Sequence, residues 1–100
     1  MDIVSPREVH ELAKSKGWWE EERGVPELLC LIHSEISEAL EGYRMRIPDG
    51  ERGCIGEELA DAVIRIWDMC DYLNIDIAKE VNEKHKYNHS REYRHGNKKC

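Results

Sequence analysis

Three observations predict an all-α protein, a bundle of four to five helices. Apolar residues recur at helical spacing in four segments. Turn and capping residues separate those segments. No segment sustains the apolar–polar alternation with β-branched residues that a strand requires. The length, 100 residues, suits one domain with one modest core, residues 1–100, with a basic tail from about residue 89.

The first helix opens at Ser5-Pro6-Arg7-Glu8. Ser stands at the cap, Pro in the first turn, and Glu three residues after the Ser. Val9, Leu12 and Ala13 give a short apolar stripe, and Gly17 is the expected stop. Trp18-Trp19 and Glu20-Glu21-Glu22 read as a loop. The second helix runs from near Pro26 to about Arg44, before the turn signal Pro48-Asp49-Gly50. The third runs from about Ile55 to Leu73. Asn74-Ile75-Asp76 interrupts it, and Asp76 is the expected cap of a fourth helix from Ile77 to the region of Ser90.

Fifteen Lys+Arg against 21 Asp+Glu give a formal net charge of -6. That balance argues against a protein that coats polymeric nucleic acid. No run approaches the ~18 apolar residues of a membrane span, so no membrane partner is expected. Met1 to Pro6 lacks the basic and apolar regions of a secretory signal, which points to a cytoplasmic setting. Cys30, Cys54, Cys70 and Cys100 contain no C-x-x-C pair and are expected to be reduced thiols, mostly filling core. The charge is also divided. Residues 84–100 hold Lys84, Lys86, Arg91, Arg94, Lys98 and Lys99 against Glu92, while the rest of the chain is acidic. Such an end can grip phosphate or dock onto the acidic body.

The second and third helices carry the chemistry. At 100° per residue, with Glu35 at zero, Leu28, Ala39, Ile32 and Ile36 fall between about 20° and 100° and Leu31 at about -40°. Glu35 therefore lies inside the apolar stripe, and Glu38 at its edge. A carboxylate on a core-facing stripe needs a cation, a basic side chain or a proton. On the third helix Glu58 sits at the margin of a stripe of Ala62, Ile55, Leu73, Ile66, Leu59 and Cys70. Asp61, Arg65, Asp68 and Tyr72 form a polar seam beside it. The pairs Glu35/Glu38 and Glu58/Asp61 each project two carboxylates one way. If the helices pack antiparallel, four carboxylates converge. Four oxygen donors without His or Cys suit a hard cation: Mg²⁺, with Mn²⁺ as an alternative.

Residues 31–41, Leu-Ile-His-Ser-Glu-Ile-Ser-Glu-Ala-Leu-Glu, and 56–64, Gly-Glu-Glu-Leu-Ala-Asp-Ala-Val-Ile, resemble the two acidic motifs of the MazG-like nucleotide pyrophosphohydrolases. That family belongs to the all-α NTP pyrophosphatases. Its pattern is Glu-x-x-Glu, a spacer, then Glu-x-x-Asp. Lys84, Asn88 and Arg91 match a third family element, and Lys16-Gly-Trp-Trp19 resembles the segment before the first acidic helix in some members. The resemblance runs from about residue 8 to 99. Two departures stand out: Ser34-Glu35 where many members have a double Glu, and Ala60 where many have Gly.

The resemblance implies hydrolysis of a nucleoside triphosphate at the α–β bond, giving a monophosphate and pyrophosphate in nucleotide-pool house-cleaning. Glu35, Glu38, Glu58 and Asp61 are then the metal ligands and catalytic carboxylates. Lys84 and Arg91 hold phosphate oxygens, and Asn88 a phosphate or the sugar. A non-catalytic nucleotide-binding or interaction module, and a phosphoribosyl-ATP pyrophosphohydrolase-like activity, are the alternatives.

Other residues are ambiguous from sequence alone. Trp18 can stack on a base or pack in a core. His33 lies about 160° round from Glu35, away from the acidic site. His85 and His89 are surface candidates. Glu57 reads as an exposed residue near the positive end of its helix. Arg65 and Tyr72 are placed to support the carboxylates. Ile64 and Trp67 fall outside the main stripe, which predicts a homodimer or homotetramer unless the first helix or the tail covers them.

Overall fold

Ser5 accepts from the Glu8 backbone N–H at 3.1 Å, and Glu8 Oε1 accepts from the Ser5 N–H at 3.0 Å. This capping box starts α1 (Pro6–Ser15), as the motif predicts. The computed structural model describes residues 2–91. Three further helices follow: α2 (Val25–Arg44), α3 (Ile55–Tyr72) and α4 (Ile77–Ser90), with no strand among the described residues. Asp76 caps α4 by accepting from the Lys79 N–H.

The first three helices end the same way. One residue adopts a left-handed backbone, and the next N–H reaches back five residues. Gly17 (φ 86°) lets Trp18 donate to Ala13, Arg46 (φ 54°) lets Ile47 donate to Gly42, and Asn74 (φ 60°) lets Ile75 donate to Cys70. The Gly and Asn stops are legible in the sequence; the Arg46 stop is not. The first of these turns also aims the Trp18–Trp19 pair at the helices behind it.

α3 packs against both α1 and α2. Val9, Leu28, Ala39, Cys54, Ala62 and Cys70 form the buried apolar core. Small residues dominate it, so the helices approach closely. Gly42 sets the tightest approach. A Cβ there would stand 2.3 Å from the Gly53 carbonyl oxygen, so only Gly lets α2 meet the loop that leads into α3.

The apolar stripes are narrower than the periodicity implies. Leu28, Glu35 and Ala39 are buried as expected, but Ile36 is 50% exposed, and Ile55 and Leu59 are also exposed. The reason is α4. Among the described residues it buries no side chain, so it covers neither face. Leu29, Ile36, Leu40, Ile55, Leu59 and Val63 remain a wide apolar surface on α2 and α3. Trp67, expected on an uncovered side, is instead half-buried, whereas Ile64 is 45% exposed. Cys54 and Cys70 fill core, as expected for most of the thiols, whereas Cys30 is exposed. No helix among the described residues is long and apolar enough to cross a membrane.

Candidate metal centre

Glu35 lies in the middle of α2, on the face it presents to α3, and is only 7% exposed. Glu38 follows one turn later and is exposed; Glu58, half-buried, comes from the first turn of α3. Oxygen atoms of all three lie within 4.8 Å of one another. Like charges this close repel, and the effect shows at Glu58. Burial raises the Glu58 carboxyl above the ordinary carboxylate range. Hydrogen bonding to Glu38 and the charges of Glu38, Asp61 and Glu35 push it the same way. Glu58 Oε2 is buried and has no hydrogen-bond partner among the described residues.

Two anticipated features differ in detail. Asp61, expected as the fourth ligand, stands outside the cluster of three. Its charge still reaches Glu58, so it belongs to the same field without sharing the focus. Glu57 is not a free surface residue. It accepts from the Gly53 N–H at 3.1 Å and from Arg52, and both contacts hold its carboxyl below the usual range. It ties down the loop that brings Gly53 against Gly42 and so fixes where α3 begins. Glu38, Glu58, Gly42, Gly53 and Ile47 line one shallow pocket of about 210 Å³.

The seam on α3 is structural as well as polar. Arg65 donates from Nε to Glu35 Oε1 at 3.0 Å, and its guanidinium lies 3.8 Å from the centre of the Trp18 ring. Arg23 lies over the same ring at 4.1 Å. A base could stack on Trp18 only by displacing a guanidinium, so the geometry places this indole behind Glu35 as a platform. Asp68, 4% exposed, sits 2.6 Å from His10 Nδ1 and accepts from Trp19 Nε1 at 3.0 Å. Trp19 in turn stacks on Tyr72 at 4.3 Å. His10, Trp19, Tyr72 and Lys14 line a pocket of about 380 Å³.

The contacts that join His10, Asp68 and Trp19 are what sequence reasoning missed. One signal was present: Asp68 closes the seam at the edge of a buried stripe, where an acid needs donors. Nothing marked His10 as the donor.

Lys84 and Asn88 lie on exposed α4 and line a shallow pocket with Glu80, Val81 and His85. That pocket shares no lining residue with the one at Glu38 and Glu58. Arg91 ends α4, and both Lys84 and Arg91 lie over the Tyr87 ring. Arg94, Lys98 and Lys99 of the basic end, with Cys100, lie outside the described residues. His33 is exposed, as its angular position implies.

A focus of three carboxylates, one of them carrying an unpartnered buried oxygen, could hold a cation. It offers hard oxygen donors, excess negative charge and no competing hydrogen bond at Glu58 Oε2. The donor set therefore fits Mg²⁺ or Mn²⁺. No known protein family, curated protein or solved structure matches the chain.

Proposed function

We propose that the protein is a Mg²⁺-dependent nucleoside triphosphate pyrophosphohydrolase that cleaves the α–β bond. The carrying observation is the convergence of Glu35, Glu38 and Glu58, with carboxylate oxygens within 4.8 Å of one another and with Glu58 Oε2 buried and unpartnered among the described residues. The resemblance of the two acidic motifs to MazG-like enzymes supplies the reaction. Glu35, Glu38 and Glu58 would hold the cation, with Asp61 adding charge beside them. A bound Mg²⁺ supplies charge neutralisation at phosphate oxygens and a more acidic water. Lys84 and Arg91 would take phosphate oxygens, and Asn88 a phosphate or the sugar.

A homodimer or homotetramer in a cytoplasmic setting completes the reading. The exposed apolar surface on α2 and α3, together with α4, which buries no side chain, supports assembly. The non-catalytic nucleotide-binding module is the second reading. It is favoured by the separation of Lys84 and Asn88 from the carboxylate pocket.

A panel of canonical and modified (d)NTPs with Mg²⁺, scored for pyrophosphate against orthophosphate, tests the reading. Pyrophosphate release that Glu58→Gln abolishes is the expected result. Orthophosphate alone refutes α–β cleavage, and no turnover by the folded protein selects the binding module.

A further inference from the structure

We propose that Trp18 and Arg65 are positioning residues for Glu35: the indole face carries the guanidinium, and the guanidinium fixes the carboxylate within the acidic cluster. The inference rests on reading that cluster as a cation site.

Glu35 is buried, and its carboxylate is held by Arg65 through Oε1. A carboxylate has two oxygens, so one can be fixed from behind while the other remains a donor. Arg is suited to this task because its fork is planar and rigid, but its long stem is mobile. Trp18 removes that mobility by offering a ring face 3.8 Å from the guanidinium.

The ring is itself held. The Trp18 backbone N–H donates to the Ala13 carbonyl across the left-handed Gly17, and Arg23 donates from Nε to the Trp18 carbonyl while its guanidinium lies over the ring. The next residue, Trp19, is pinned to Asp68 of α3, which pairs with His10 of α1. The loop is therefore fixed to both helices beside the cluster. The Trp18 Nε1 is buried without a hydrogen-bond partner among the described residues. An orphaned donor is unfavourable. What the site uses is thus the face of the indole rather than its N–H, and a Phe face supplies the same platform.

A competing account makes Arg65 a rival cation that blocks the site. The two accounts predict opposite signs. Positioning means that loss of the platform weakens cation binding; rivalry means that it strengthens it.

The test uses the full chain and Mn²⁺ alone, with bound ion counted from the loss of the free-ion electron paramagnetic resonance signal. Circular dichroism checks folding. Trp18→Leu and Arg65→Lys each weaken Mn²⁺ binding by about 10- to 100-fold, the usual loss when the partner of a metal ligand is removed. Arg65→Lys keeps the charge, so its loss reports geometry. Trp18→Phe restores the wild-type affinity. Unchanged or tighter binding in folded Trp18→Leu or Arg65→Lys overturns the proposal. It leaves the cation-site reading intact if Glu38→Gln and Glu58→Gln still abolish binding. A wild-type chain that takes up no Mn²⁺ rejects the cation site itself, and the positioning role with it.

Discussion

Arg65 on α3 donates to Glu35 on α2 across 3.0 Å, and this pair separates the members of the acidic cluster into two kinds. Glu35 is buried and compensated; Glu38 is exposed and adds negative charge beside Glu58. Their removal should therefore have different costs. Glu35→Ala strips a half-buried guanidinium of its partner and should destabilise the fold by about 2 kcal/mol, less than a fully buried pair because Arg65 still meets water. Glu38→Ala should leave stability unchanged or raise it. Both should lose cation binding. Chemical denaturation with and without Mn²⁺ checks the ranking; equal destabilisation by both would contradict it.

The raised Glu58 carboxyl gives a pH prediction with a definite sign. Burial, then Glu38 and the nearby charges, make the folded state hold this proton more firmly than the unfolded state does. Without metal, stability from this group therefore falls as pH rises from the ordinary carboxylate range through the raised value. A cation must displace that proton, so its affinity should drop as pH falls through the same window. Calorimetric Mg²⁺ or Mn²⁺ titrations at stepped pH should show the drop. Metal-free Glu58→Gln should lose this contribution to the pH dependence of stability, and an unaltered profile would exclude Glu58 as its source.

Helix boundaries were legible because they depend on local chemistry. The Ser5–Glu8 capping box, the Asp76 cap and the stops at Gly17 and Asn74 act over a few residues. Burial of Glu35 was legible for the same reason, since one helix wheel contains it. What depends on two elements at once was not. Periodicity marked Ile36, Ile55 and Leu59 as apolar without knowing that α4 leaves them uncovered. Spacing put Asp61 beside Glu58, but it stands outside the focus of three, because that focus depends on how α2 and α3 meet and not on one helix alone. The His10–Asp68 pair spans 58 residues, and no local pattern links its members.

Gly42 tests how the site is positioned rather than what it contains. A helical Gly is unfavourable against Ala by about 1 kcal/mol, so on propensity alone Gly42→Ala should stabilise α2. The added Cβ would meet the Gly53 carbonyl oxygen at 2.3 Å, a rigid backbone atom. Overpacking should prevail, with a net loss of about 1–3 kcal/mol. Glu38 stands one turn before Gly42, and Glu57 ties the Gly53 loop to α3. The same substitution should therefore weaken cation binding while every carboxylate remains. A higher melting temperature in Gly42→Ala would show that the approach is looser than the geometry here.

Asp68 joins α1, the Trp loop and α3 through one carboxylate. It sits 2.6 Å from His10 Nδ1 and accepts from Trp19 Nε1 at 3.0 Å, at a site nearly closed to water. Asp68→Ala removes the acceptor and leaves two groups to find others, at about 1–3 kcal/mol for each orphaned donor. Asp68→Asn keeps the shape and one acceptor oxygen, so its loss should be smaller. The damage should also travel. With Trp19 released, the adjoining Trp18 loses its anchor, and Arg65 is held less firmly on Glu35. Thermal melts should rank wild type above Asp68→Asn above Asp68→Ala. Mn²⁺ affinity should fall in the same order, although Asp68 is not itself in the cluster of three carboxylates. Full Mn²⁺ affinity in a folded Asp68→Ala protein would confine this pair to holding helices together and sever it from the carboxylate cluster.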